Sequence, residues 1–360
     1  MIENIVGEDP NEIHQRFLPP KNVGNDVKII ELDNRKTGIS NANMDGCKEW
    51  NCIIRYQQSD MIISTADAIL INRRKKEHYQ HYHINKYYIF FTQESAANYP
   101  FNHSSFNLTL NFIRNSPVSS PYGYTVKLAK GSRPIGSLIN DDIIRNKSIP
   151  IAWFVSNCKT ASQREIYVKY LKKYLTVDIF GFCGNTSCVD NDSCENLLNY
   201  VYYFYLSFEN SICEDYITEK LWKHGYGHEI IPIVLKRSIV ERYAPPHSFI
   251  AVDDFKTIHD LADYLKYLMH NLTAYREYFE WRREYKVLFL NGNIHDDLER
   301  PWGFCQLCRL LWMNPRPKYV IENFTDFWHN SCELSGTLVN TILREELKNS
   351  QQFELNTKLQ

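Results

Sequence analysis

A change of period is the clearest signal along this chain. Residues 149–155, "IPIAWFV", run seven positions without a charge, the pattern of a strand covered on both faces. Residues 162–175, "SQREIYVKYLKKYL", then repeat at helical spacing. Ile166, Tyr170 and Tyr174 form one stripe, with Tyr167, Leu171 and Leu175 beside it. Further strands are expected at "VDIFGF" (177–182), "YYFYLSF" (202–208), "EIIPIVL" (229–235) and "SFIAV" (248–252). Helices are expected at "YITEKLWKHG" (216–225) and "TIHDLADYLKYLMH" (257–270). Alternating strand and helix predicts a doubly wound α/β domain, its parallel sheet joined by right-handed crossovers.

The first half is less regular. Strands are expected at "DVKIIEL" (26–32), "AILI" (68–71), "YYIFF" (87–91) and "FNLTLNFI" (106–113), and "CKEWNCIIRY" (47–56) reads as a short cysteine-flanked turn running into a strand, with polar or Pro-containing stretches between them. Residues 1–26 read as a loose leader or stem remnant, and the domain boundary falls within 116–148.

At 360 residues, 44% hydrophobic and 23% charged, the chain is ordinary globular protein with room for about two domains. A net charge of −1 offers no basic field for nucleic acid. Ten cysteines, and sequons at Asn102, Asn107, Asn146, Asn185, Asn191, Asn271 and Asn323, favour an oxidising lumen. Yet the first 50 residues show no apolar signal region, and "MIISTADAIL" (61–70) carries Asp67 and is too short to span a bilayer. Either the chain is part of a longer product or the lumenal reading fails.

The densest candidate chemistry is "FYLSFENSICEDYITEKLW" (204–222). Glu209 and Asn210 stand where a core strand ends, beyond which open α/β sheets bind ligands. Asp215 suits a helix N-cap. Lys220, in the first turns of the expected helix, opposes the helix dipole unless an anion binds there; the alternative is a surface ion pair. Arg164 in "SNCKTASQRE" (156–165) is placed to fork onto phosphate oxygens or to lie solvated on its helix. Glu94, ending the strand in "FFTQES" (90–95), is either a general base or a loop residue. Asp190 and Asp192 form a D-x-D, and "RRKKEHYQHYH" (73–83) is basic and aromatic with His81 and His83; neither is read as a metal or nucleic-acid site. Cys305-x-x-Cys308 is half a zinc motif, but disulfides are the stronger reading. Dinucleotide, P-loop, serine-hydrolase and zincin fingerprints are absent.

The stretch 204–222 resembles the signature of the α1,3-fucosyltransferases, glycosyltransferase family 10. "AWFVSNC", "REIYVKYLKKY", "VDIFGFCGN", "SFIAVDDF" and "YREYFEWR" resemble its neighbouring segments, and "ADAIL", "ESAANYP" and "FNLTLNFIRNSPVSSPYG" its acceptor-side half. The tail "WGFCQLCRLLW" is similar to the invertebrate, core-type branch. The likeness covers roughly residues 45–335.

The resemblance implies an α/β protein of the GT-B fold, two Rossmann-like domains facing across a cleft. An acceptor-side domain would span 27–140, a GDP-fucose-binding domain 141–300, and a Cys-containing tail at 301–360 would pack back on both. It implies inverting transfer of fucose from GDP-β-L-fucose to the 3-OH of GlcNAc in glycoprotein glycans. Glu94 would be the general base. Arg164 and Lys220 would hold the diphosphate, with Glu219, Asn210, Tyr216 and Glu209 completing the donor pocket. No metal would be obligatory, Mn²⁺ or Mg²⁺ acting as stimulants at most. The partners would be donor and glycan, not nucleic acid, and the setting a Golgi membrane reached by an N-terminal anchor not visible here.

Three motifs depart from the family pattern. Ala96 replaces the Pro of E-S-P, Asn115-Ser116-Pro117 replaces D-S-D, and His224-Gly225 replaces N-A. They bear on acceptor preference more than on the retained Glu, Arg and Lys. The alternative function is a GDP-sugar- or glycan-binding pseudoenzyme without transfer.

Overall fold

Two five-stranded parallel sheets organise the chain. They are seen in a computed structural model that describes residues 2–33, 38–57, 65–72, 86–184, 191–291 and 297–357. The "RRKKEHYQHYH" run and Asp190 lie outside the described residues, as does the side chain of Asp192.

The first sheet contains β1 (Lys28–Leu32), β2 (Cys52–Tyr56), β3 (Ala68–Ile71), β4 (Tyr87–Phe91) and β5 (Leu108–Leu110), in the order β2-β1-β3-β4-β5. The second contains β6 (Ile149–Phe154), β7 (Val177–Phe180), β8 (Tyr202–Leu206), β9 (Ile231–Val234) and β10 (Ile250–Ala251), in the order β7-β6-β8-β9-β10. Both orders reverse direction after the first strand. Each sheet therefore has a switch point, between β1 and β3 and between β6 and β8, at whose carboxyl ends such folds bind ligands.

The chain divides into two units: Met1–Gly7, Gly123–Phe289 and Glu333–Gln360 form one, Glu8–Tyr122 and Leu290–Cys332 the other. This differs from the division expected at 27–140, 141–300 and 301–360. The leader is not loose: Ile2–Ile5 pairs antiparallel with Gly123–Leu128, which also pairs with Tyr285–Phe289, and Pro10–Phe17 is a helix capped by Asp9. A four-residue strand stabilised only by its distant partner leaves little periodic signal. Gly123 belongs in that sheet because a Cβ there would lie 2.6 Å from the Trp222 ring. The tail also splits, since Gly303–Leu311 packs into the core of one unit while Val339 and Ile342 enter that of the other.

Gly303–Leu311 is apolar around nearly its whole circumference and is buried accordingly. Cys305 is bonded to Cys47 and Cys308 to Cys52, so the zinc alternative for this pair gives way to disulfides. A third disulfide, Cys158–Cys183, ties the loop after β6 to the loop after β7. Cys194, Cys213 and Cys332 are also disulfide-bonded, and among the described residues no cysteine is free. No described helix is long and apolar enough to cross a membrane.

In the second sheet the helix Arg164–Leu171 buries Arg164, Tyr167, Val168 and Leu171. The stripe with Tyr167 is therefore the core face, while Ile166 is exposed. The helix Ile258–His270 begins in a capping box of Thr257 and Asp260 and buries Ile258, Leu261, Ala262, Leu265 and Leu268 at helical spacing.

Candidate active site

Two side chains stitch the switch point of the second sheet together. Arg164 is 2% exposed; its Nη1 donates to the Phe208 carbonyl after β8, and its Nη2 to that of Asn157 after β6, at 3.3 Å. The guanidinium also lies 5.5 Å from the Trp153 ring centre. Its Nε has no hydrogen-bond partner. Ser162 adds a second stitch, its Oγ donating to the Glu209 carbonyl at 2.7 Å and its N–H to that of Asn210 at 2.9 Å. Of the two sequence readings of Arg164, on a phosphate or solvated on its helix, burial removes the solvated one; the side chain also braces the strand ends.

Glu209 follows β8 and points into a compact charge cluster. Its Oε1 accepts from the Thr218 N–H at 2.8 Å and from the Thr218 hydroxyl at 2.9 Å. Lys220 Nζ lies 3.2 Å from Glu209 Oε2, 3.0 Å from Glu219 Oε1 and 2.8 Å from Thr218 Oγ1. Thr218, which sequence reasoning did not select, thus accepts from Lys220 and donates to Glu209. The Lys220 side chain is 15% exposed.

The electrostatics follow from this packing. Burial pushes the Glu209 carboxyl upward, against the pull of Lys220 and the Thr218 hydrogen bonds. Burial acts upward on Glu219 too, but the charge and hydrogen bond of Lys220 outweigh it, and the carboxyl falls below its usual value. Burial acts downward on Lys220, but the carboxylates of Glu209 and Glu219 outweigh it, and the ammonium rises above its usual value. Lys220 is held charged between the carboxyl groups of Glu209 and Glu219, beyond the carboxyl end of the central strand β8.

The helix expected from Tyr216 begins instead at Lys220. Asp215 is not its N-cap: it sits at φ 57° and accepts from the Tyr243 hydroxyl at 2.7 Å. The side chain of Glu209 takes up the Thr218 N–H, so residues 210–218 stay a loop. Lys220–Gly225 is wound more widely than an α-helix, as the bond from Tyr226 N–H to Leu221 O at 2.9 Å shows; such turns recur at functional sites. Gly225 fits because a Cβ there would lie 2.9 Å from Pro232 Cβ. Tyr216 is buried, and Asn210 Oδ1 accepts from the Ser211 hydroxyl at 3.3 Å.

Glu94 lies in the other unit, beyond the carboxyl end of β4. Its N–H donates to Thr92 Oγ1 at 3.2 Å, and its exposed carboxylate accepts from Asn98 at 3.5 Å. Buried Ser95 and Ala96 anchor the turn, and the Tyr122 hydroxyl holds the Gln93 carbonyl at 2.7 Å.

Residues 144–327 match the family pattern "Glycosyltransferase family 10 (fucosyltransferase) C-term", and residues 25–123 match "Fucosyltransferase, N-terminal". The chain belongs to glycosyltransferase family 10. It is 50% identical to the α-(1,3)-fucosyltransferase fut-1 of Caenorhabditis elegans, over 95% of this chain and 78% of that protein. It is 34% identical to the 3-galactosyl-N-acetylglucosaminide 4-α-L-fucosyltransferase FUT3 of Bos taurus, over 71% of this chain and 69% of that protein. A crystal structure of an α1,3-fucosyltransferase with GDP-fucose superposes with a TM-score of 0.54 at 18% identity, covering 86% of this chain and 97% of that one. The family 10 chain is thus a glycosyltransferase of the GT-B type, with two α/β units of Rossmann-like topology.

Proposed function

We propose that this family 10 enzyme transfers L-fucose from GDP-β-L-fucose to the 3-OH of GlcNAc in glycoprotein glycans, with inversion at C1. The observation that carries the reading is Lys220, kept charged between Glu209 and Glu219 beside the β6–β8 switch point. In one displacement the acceptor oxygen bonds to C1 as the bond from C1 to the diphosphate breaks. The departing GDP gains negative charge, which a fixed ammonium stabilises. Arg164 supports the same anion through its charge and by holding the strand ends in register. Glu209 and Glu219 orient Lys220, and with Asn210 and Tyr216 line the donor side. Glu94 takes the acceptor hydroxyl proton, as a base does in inverting sugar chemistry. No metal is required by this scheme, because Lys220 and Arg164 supply the cationic charge. The setting is the Golgi lumen, in keeping with the disulfides.

The test is a glycan array incubated with GDP-fucose, with product linkage read by mass spectrometry. An α1,3 bond to GlcNAc is the expected result. Donor binding without transfer, or a different linkage, overturns the reading.

A further inference from the structure

A second cluster lies behind the charged turn, within the same unit. Glu195 stands on the helix Asn191–Tyr200, while His224 and His228 fall four residues apart at the end of the turn that carries Lys220. Glu195 Oε1 is 3.8 Å from His224 Nδ1, and Oε2 is 4.0 Å from His228 Nε2. One ligand atom from each of the three residues lies within 4.8 Å of the others.

We propose that Glu195, His224 and His228 form a binding site for a divalent transition-metal ion of the zinc type. Two imidazoles and a carboxylate are a suitable ligand set for such an ion, leaving a fourth position for water. Tetrahedral bonds of about 2.1 Å put ligand atoms about 3.4 Å apart, so each has little distance to move.

The surroundings favour ligation. His228 Nδ1 pairs with Asn199 Oδ1 at 3.3 Å, which places the proton on Nδ1 and leaves the Nε2 lone pair toward Glu195. Asn199 Oδ1 is itself fixed by the Glu229 N–H at 2.9 Å, and the His228 carbonyl by Arg282 at 2.8 Å. His224 Nδ1 is buried without a hydrogen-bond partner, and its ring packs 5.4 Å from Phe154 and 5.6 Å from Tyr205. The cation now nearest is Lys223, whose Nζ lies 2.6 Å from Glu195 Oε1. A bound ion displaces it and ties the turn carrying Lys220 to the helix Asn191–Tyr200. The site is independent of the donor and acceptor assigned above.

The metal-free chain of residues 1–360, titrated with Zn²⁺ against a chromophoric chelator, is expected to take up one ion at micromolar affinity or tighter. Glu195→Gln, His228→Ala and His224→Asn should each weaken uptake about tenfold or more. Lys223→Met should strengthen it, because the competing ammonium is gone. Co²⁺ in place of Zn²⁺ should give the visible absorption of a tetrahedral site, lost in His228→Ala. Circular dichroism separates a folded, non-binding variant from an unfolded one, with His224→Asn and Lys223→Met as the mildest changes. Absence of stoichiometric uptake, unchanged affinity in the folded variants, or loss confined to a His81→Ala/His83→Ala control overturns the proposal.

Discussion

Glu209 Oε2 and Lys220 Nζ lie 3.2 Å apart in a largely buried pair, with Thr218 bridging them. Removing one partner strands the other charge in a poorly hydrated place. Lys220→Ala should therefore cost about 3 kcal/mol of stability by leaving Glu209 unpaired. It should also raise the donor KM about tenfold or more. The double variant Glu209→Gln/Lys220→Ala should regain most of the stability but none of the donor affinity. Chemical denaturation and donor kinetics on all three proteins measure this; recovery of donor binding in the double variant would contradict a phosphate role for Lys220.

Glu94→Gln keeps the shape of an exposed side chain and removes only its carboxylate, the group proposed as the base. Its kcat should fall by about 10²- to 10⁴-fold, with GDP binding and thermal stability unchanged. Steady-state kinetics beside a GDP titration decide the point. A kcat near the parent value would remove Glu94 from the mechanism.

Lys147 is a buried lysine that no motif announced. Its ammonium donates to the carbonyls of Leu198, Asn199 and Tyr202 at 3.3, 2.7 and 2.8 Å, closing the end of the helix Asn191–Tyr200. Burial pushes its pKa down to about 7. Between that value and the ordinary lysine range, the unfolded chain holds the proton while the folded chain releases it. Stability from this group therefore rises as pH increases from about 7 toward the ordinary lysine value of 10.5. Lys147→Met should lower stability by about 3 kcal/mol, since three carbonyls lose their donor. The gap between parent and variant should widen with pH over that window, as followed by denaturant melts; a constant gap would indicate no linked proton.

Cys47–Cys305 and Cys52–Cys308 close nearly the same loop, 258 and 256 residues apart in sequence. On loop entropy alone, one such bridge contributes about 5 kcal/mol, and the second, which crosses it and closes only a few further residues, contributes less. Cys52→Ala/Cys308→Ala should therefore be tolerated, whereas removal of both bridges should unfold that unit under mild denaturant. Melting of the two variants checks this; a loss from the first bridge as large as the further loss from removing the second would argue against the entropic account.

Much of the fold could be read from the residues. "IPIAWFV" and "YYFYLSF" form central parallel strands because continuous apolar runs have few other stable placements. The helix at Thr257 was legible because its capping box and apolar spacing agree. Other features were not. "YITEKLWKHG" has helical spacing, yet Glu209 takes the N–H of Thr218 and delays the helix to Lys220. Arg164 reads as a surface or phosphate residue, and only the distant Phe208 and Asn157 carbonyls explain its burial. Thr218 is one threonine among many until the carboxylate nine residues upstream folds onto it. The Glu195–His224–His228 grouping joins a helix to a turn, and the four-residue spacing of the two histidines does not point to Glu195.

The unit that holds Glu94 is assembled from Glu8–Tyr122 and Leu290–Cys332, with the whole of Gly123–Phe289 made in between. A ribosome therefore releases its five strands long before the helix Gly303–Leu311 that covers them has been translated. The later-made unit already has Met1–Gly7 and, once Phe289 is made, lacks only Glu333–Gln360. The order of maturation runs against the order of synthesis. The half that holds Glu94 waits, with Cys47 and Cys52 unpaired, for partners encoded some 250 codons downstream.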